Sequence, residues 1–237
     1  MKRTTLFLSL LLLFSFMHKK QQTTIFTIGD STMANKTSPG DHPAERGWGM
    51  MLSEFFKPNV SVQNHAKNGR SSKSFRTEGR WDVVLKEIKP GDYVFIQFGH
   101  NDQKADTLLH TDPETTYKAN LARYINETRQ RGGIPVLFTS IVRRSFNVDG
   151  TLRNTHGAYI DAMKQVAVEQ AVVCIDLNAA TRKFVQNMGD EPSKSLYMWV
   201  DDRKDDTHLN EKGARAVAQL AVDSLKAKLP TLKRQFR

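Results

Sequence analysis

Cysteine is nearly absent: one residue, Cys174, in a chain of 237. A disulfide within the chain is therefore excluded, and so are the small folds that depend on several. The fold must rest on a packed core, which a chain of this length can build. Cys174 lies in the apolar stretch AVVCIDL and reads as an inert buried thiol. Repeats, low-complexity tracts and Pro/Gly/Ser-rich linkers are also missing, so nothing divides residues 21–237 into more than one domain. Long hydrophobic runs are missing too. The most apolar stretch, Leu6 to Met17, is too short to span a bilayer comfortably. With 39% hydrophobic and 25% charged residues, the chain fits neither a disordered nor a multi-span membrane protein.

That apolar stretch follows Lys2 and Arg3 and precedes His18-Lys19-Lys20. Residues 1–20 thus have the charged n-region and apolar h-region of a secretory signal peptide, without a tidy small-x-small cleavage site. An uncleaved N-terminal anchor is the alternative. No Cys follows the run, which argues against lipid modification. The expectation is export, to the periplasm or the medium. Four of the 35 basic residues and none of the 25 acidic ones lie in this segment, leaving 31 against 25, a balance of +6. The remaining positive charges are scattered, whereas nucleic-acid binders concentrate them in a patch or along a helix. A diffuse positive field suits an anionic polymer as partner; from charge alone, a solvated surface with a basic bias is the simpler account.

Five apolar runs read as strands: 24–29 (TIFTIG), 60–66 (VSVQNHA), 93–99 (YVFIQFG), 134–140 (IPVLFTS) and 171–177 (AVVCIDL). The last three are almost continuous in apolar residues, as strands covered on both faces should be. Helical patterns lie between them. Tyr117, Leu121, Tyr124, Ile125 and Thr128 keep helical spacing up to a stop at Gly132-Gly133, and 154–169 and 211–228 read similarly, the latter with Asn210 as N-cap. This alternation predicts an α/β protein with a parallel sheet in a three-layer α/β/α arrangement, whose ligand crevice lies beyond the strand C-termini.

Three of those ends carry chemistry. The first is Gly29-Asp30-Ser31, the second NHAKNGRSSKSF with Asn68-Gly69-Arg70, the third Gly99-His100-Asn101-Asp102. A fourth cluster, DDRKDDTHLN at 201–210, places Asp205 three residues before His208. A serine hydroxyl needs a base, histidine has the right pKa, and a carboxylate can fix its tautomer. Backbone N–H groups and an Asn amide can receive the oxyanion of acyl transfer. Each piece has a plainer explanation. Gly-Asp-Ser is common in loops, Asn68-Gly69 makes a turn, and Asn101 or Asp102 caps a helix. The carboxylates near His208 suggest a metal site, but no second histidine stands at ligand spacing. Their joint placement at successive strand ends is what favours chemistry.

These residues carry a resemblance. The stretches TIGDSTMA, ERGWGMML, NHAKNGRSSKSFRTEGRW, GDYVFIQFGHNDQK and DDTHLNEKGA are similar to those of the SGNH (GDSL-like) hydrolase superfamily. More narrowly the chain resembles the rhamnogalacturonan acetylesterases of carbohydrate esterase family 12, over about residues 23–225. Gly-Asp-Ser-Thr in place of Gly-Asp-Ser-Leu, and Gly-His-Asn-Asp, favour that polysaccharide-esterase branch over the lipase branch. The resemblance implies a flavodoxin-like five-stranded parallel sheet in the order 2-1-3-4-5. It implies Ser31 as nucleophile, His208 as base and Asp205 as its partner. The oxyanion hole would comprise the Ser31 and Gly69 N–H groups and the Asn101 side chain, with a helix N-terminus at Ser31 adding dipole support. It further implies acetyl-ester hydrolysis through an acetyl-enzyme, with no metal or cofactor, on an acetylated and anionic plant cell-wall polysaccharide. His100 would shape the pocket, and Arg70 and Arg76 would contact galacturonate carboxylates; Arg80 fits a solvated surface better. A lipase or thioesterase, a xylan acetylesterase and a non-catalytic carbohydrate-binding module remain alternatives. The partner expected is the polysaccharide, with neither nucleic acid nor a stable membrane partner, and oligomeric state stays open. Sequons at Asn35, Asn59 and Asn126 matter only in a eukaryotic secretory route.

Overall fold

The structure, a computed structural model, describes residues 22–237; the segment read as a signal peptide lies outside them. Strands β1 (Thr23–Gly29), β2 (Glu45–Arg46), β3 (Val60–Asn64), β4 (Tyr93–Gln97), β5 (Ile134–Phe138), β6 (Val173–Ile175), β7 (Tyr197–Val200) and β8 (Arg203–Asn210) form two sheets. The larger has the order β3-β1-β4-β5-β6, all parallel. Numbered by these five strands alone, that is the expected 2-1-3-4-5. Helices α1 (Ser74–Thr77), α2 (Arg80–Glu87), α3 (Lys118–Gln130), α4 (Tyr159–Glu169), α5 (Leu177–Met188), α6 (Asp190–Ser193) and α7 (Glu211–Lys228) accompany them, with 3-10 helices at Trp48–Phe55, Lys194–Leu196 and Pro230–Gln235 and a π-helical turn at Pro113–Tyr117.

Strand periodicity builds both cores. Along β4 every residue is buried: Tyr93 and Phe95 point to one face, Val94 and Ile96 to the other. On the first face they meet Trp48 and Leu52 of the 3-10 helix and the Ala218, Ala221 and Val222 stripe of α7. On the second they meet Trp81 and Val84 of α2, Leu121 and Tyr124 of α3 and Met163 of α4. An apolar side chain on either face gains roughly 1.5–3 kcal/mol from burial, which is why such strands are nearly continuous in hydrophobics.

Two local expectations need correction. The fifth strand is only Val173–Ile175, because Ala171 turns with φ 46° and Asp176 caps α5, accepting from the Ala179 N–H. No helix starts at Ser31. The Met33 and Ala34 N–H groups donate to the Asp30 carbonyl in a turn, and the next helical element begins at Trp48, so no helix dipole points at Ser31. The cluster at 201–210 lies mostly on a strand. β8 pairs antiparallel with β2 and β7 in a small second sheet.

Candidate active site

The C-terminal ends of β1, β3 and β4 lie side by side, as their registers Thr27 to Asn64 and Gly29 to Gln97 require. Ser31 leaves β1 on a turn held from below by buried polar groups. The Asp30 carboxylate accepts from the Thr32 N–H (2.9 Å) and hydroxyl (2.8 Å). Gln97 donates to the Thr32 hydroxyl at 2.7 Å and accepts from the Trp48 indole at 2.8 Å. Burial raises the pKa of Asp30 despite its bonds to Thr32.

The opposite wall comes from β8. Tyr197 pairs with Leu209, yet its neighbour Met198 pairs with Asp205. Residues 206–208 therefore bulge out of the ladder, and a bulge re-aims side chains. Inside it the Asp205 carboxylate accepts the Thr207 N–H (2.8 Å) and His208 N–H (2.9 Å) on one oxygen. The other oxygen lies 2.8 Å from His208 Nδ1 and 2.6 Å from Arg203 Nη2. His208 Nε2 is 2.9 Å from Ser31 Oγ. Burial would raise the Asp205 pKa, but the His208 bonds and the Arg203 guanidinium hold it well below the usual carboxylate range. Asp205 thus stays ionised and fixes the imidazole with Nε2 toward the serine, as general-base activation of a hydroxyl requires.

The third wall holds Gly69 and Asn101. Gly69 has φ +76°, in the left-handed region that glycine enters freely. The Asn101 amide donates to the Arg70 carbonyl at 3.0 Å, which ties the loop after β3 to the loop after β4. Buried Asp102 strengthens that tie, accepting from the Ser72 N–H (3.1 Å) and hydroxyl (2.5 Å) and the Thr111 hydroxyl (3.0 Å). Burial pushes its pKa up to about 6 against those bonds.

Ser31, Gly69, His100, Asn101 and His208 line one cavity of about 450 Å³. Lys36, Asp41, His42, Glu45, Asn68, Lys104, Arg143, Arg203 and Thr207 also face it, and no hydrocarbon side chain is among them. His100 is buried, its Nδ1 3.1 Å from Nε2 of buried His156. Burial first, and the Arg143 charge with it, push its pKa well down. Arg70 and Arg76 are not brought to this cavity. Arg70 pairs with Glu78 at 3.0 Å, as Arg80 does at 2.6 Å, and Arg76 with Glu127 at 2.8 Å under the Tyr124 ring. Arg76 instead borders a separate hollow with Lys73, Asp82 and Arg123.

Sequence reasoning missed an ionic string behind Asp205 and His208. Buried Lys36 binds Glu45 at 2.7 Å, and Glu45 binds Arg203 at 2.7 Å, which grips Asp205. It also missed Arg143. The signal was available: Arg143 follows the C-terminal end of β5, where a parallel sheet presents its ligands. No cluster with the makings of a metal site occurs among the described residues.

The family model of the GDSL-like lipases and acylhydrolases matches residues 27–216. The chain belongs to this family. Within it, the chain is 39% identical to the rhamnogalacturonan acetylesterase RhgT of Bacillus subtilis, across 87% of this chain and 90% of that one. It is 28% identical to a rhamnogalacturonan acetylesterase of Emericella nidulans, across 82% of this chain and 81% of its relative. The crystal structure of YxiM from Bacillus subtilis superposes with a TM-score of 0.78 at 32% identity. That match covers 87% of this chain and 56% of YxiM. Hydrolysis by a Ser-His-Asp mechanism is general to the family, and the line from Ser31 to Asp205 has its geometry.

Proposed function

We propose that the protein is a serine acetylesterase that removes acetyl groups from an anionic pectic plant cell-wall polysaccharide, rhamnogalacturonan. The unbroken line Asp205–His208–Ser31, beside a cleft that no hydrocarbon side chain lines, carries this reading. His208 Nε2 takes the Ser31 proton as Oγ attacks the acetyl carbonyl, and the tetrahedral oxyanion is received by the Ser31 and Gly69 N–H groups and the Asn101 amide. Collapse breaks the bond to the sugar oxygen, which leaves with the proton from His208. Water, deprotonated by the same imidazole, then attacks the acetyl-Ser31 carbonyl; acetate departs and Oγ regains its proton. Every group needed is a side chain or backbone amide of this chain.

The polar cleft disfavours a lipase or thioesterase, which needs hydrocarbon walls for a long acyl chain. The names of the relatives favour rhamnogalacturonan over xylan. Export fits a polymeric substrate outside the cell and the character of residues 1–20. Among the described residues no helix is long and apolar enough to cross a membrane. Acetate release from acetylated rhamnogalacturonan, homogalacturonan, xylan and mannan tests the reading, with Ser31→Ala as the paired variant. Acetate should come fastest from the pectic polymers and fall at least 10³-fold in the variant, since losing the nucleophile leaves only binding and oxyanion stabilisation. Faster release from xylan, or near-normal activity in Ser31→Ala, overturns it.

A further inference from the structure

Four cations face the cavity at Ser31: Lys36, Lys104, Arg143 and Arg203. Two are neutralised within the protein, Lys36 by Glu45 at 2.7 Å, and Arg203 by Glu45 at 2.7 Å and Asp205 at 2.6 Å. Arg143 is different. Among the described residues it makes no salt bridge; its Nη1 donates to the Thr155 carbonyl at 3.1 Å and its Nη2 to the His100 carbonyl at 3.4 Å. Its side chain is half-buried, and burial lowers its pKa although the Asp30 charge works the other way. The nearby pair His100 and His156 is buried and neutral and supplies no counter-charge. Asp41, the remaining acid at the cavity, is satisfied by the Asn68 amide and the Ser38 N–H, each at 2.8 Å. Exposed Lys104 faces the same cavity, also without a salt bridge among the described residues.

A guanidinium that has lost part of its water and gained no anion is costly, and its planar fork matches a carboxylate. We infer that Arg143, assisted by Lys104, forms a subsite for a sugar carboxylate, so that the preferred substrate carries a free uronate beside the acetyl ester. This inference rests on the proposed esterase reading and narrows its substrate to the unesterified polymer. A cavity of about 450 Å³ holds a ligand of drug-like size. The carboxylate and the ester attacked by Ser31 therefore belong to the same short segment of chain, and not to distant parts of the polymer.

The test compares acetylated galacturonate-containing oligosaccharides with the same compounds methyl-esterified at the carboxyl groups. The wild type should favour the free acid in kcat/KM by about tenfold or more, as a charge-assisted pair warrants. Arg143→Gln should bring that ratio close to one. A ratio near one in the wild type, or a ratio that survives in Arg143→Gln, overturns the subsite. So does an equal loss on both compounds, which would place Arg143 at the oxyanion or in the fold. A second readout needs no acetylated sugar. Digalacturonate should inhibit wild-type hydrolysis of 4-nitrophenyl acetate competitively, and about tenfold more weakly in Arg143→Gln. Absence of inhibition in the wild type, or equal inhibition in both, overturns the subsite whichever acetylated polymer proves to be the substrate.

Discussion

Asp205 and Asp206 adjoin in sequence and face opposite ways. Asp205 turns into the cleft, where both oxygens are committed to His208, Thr207 and Arg203. Asp206 turns out, accepting from Arg144 Nε at 2.6 Å and the Trp199 indole at 2.8 Å, while its carbonyl accepts the Arg144 N–H at 2.7 Å. It therefore anchors the bulge that presents its neighbour. Asp205→Asn should lower kcat by about 10⁴, because an amide donating to Nδ1 selects the wrong tautomer. Arg203 on the same oxygen could orient the amide and soften that loss. Asp206→Asn should cost kcat only a few-fold and act mainly on stability, by about 1–2 kcal/mol, since one charged hydrogen bond to a buried arginine is weakened. Steady-state kinetics and urea unfolding of both variants check this; a larger kcat loss in Asp206→Asn would mean the wrong acid had been chosen. The spacing of three was legible in the sequence; the bulge through which it works was not. Arg143 was legible only as a residue after a strand end, where ligands collect; what sets it apart, its lack of an acid partner, shows only in the fold.

At the scale of elements, the five parallel strands were legible because each is an apolar run closed by small or polar residues. Asn210 was legible as a cap: its side chain accepts the Gly213 N–H at 3.0 Å and opens α7. The second sheet was not. β2 has two residues, and β8 is polar along most of its length, so neither shows a strand period. Its position depends on tertiary contacts, among them the close seat of α7 on Leu196 just before β7. Gly213 makes that seat possible, since a Cβ there would overlap the Leu196 carbonyl oxygen. Gly213→Ala should force the start of α7 outward and cost roughly 1–3 kcal/mol as overpacking does. His208 lies just ahead of that helix, so kcat should fall with stability. Denaturant midpoints and kcat measured together decide the matter; an unchanged midpoint would show that the helix seat yields without cost.

At the scale of the whole molecule, buried ionisable groups set the pH response of the fold. His156 is buried, and burial, with the charges of Arg143 and Arg182, lowers its pKa from 6.5 to about 3. His100 is displaced in the same direction, by burial first. A histidine whose folded pKa is depressed binds its proton only in the unfolded chain, so its contribution to stability is intact above about pH 6.5 and is lost as pH falls below it. Asp30 and Asp102 run the other way. Their pKa values are raised by burial, so protonation in the folded state recovers some stability as pH falls, for Asp102 from about 6 downward. The opposing signs mean that a wild-type profile alone cannot isolate the histidines, but a substitution can. His156→Gln keeps an amide within reach of His100 Nδ1 and removes one titrating group. Between pH 7.5 and 5.5 the wild type should lose about 1.4 kcal/mol more stability than this variant, the value of one pH unit below the unfolded pKa of 6.5. Urea unfolding of both proteins at the two pH values measures the difference directly. Equal losses would show that His156 takes up its proton in the folded protein as readily as in the unfolded one, and the closed, neutral pair behind Arg143 would have to be abandoned.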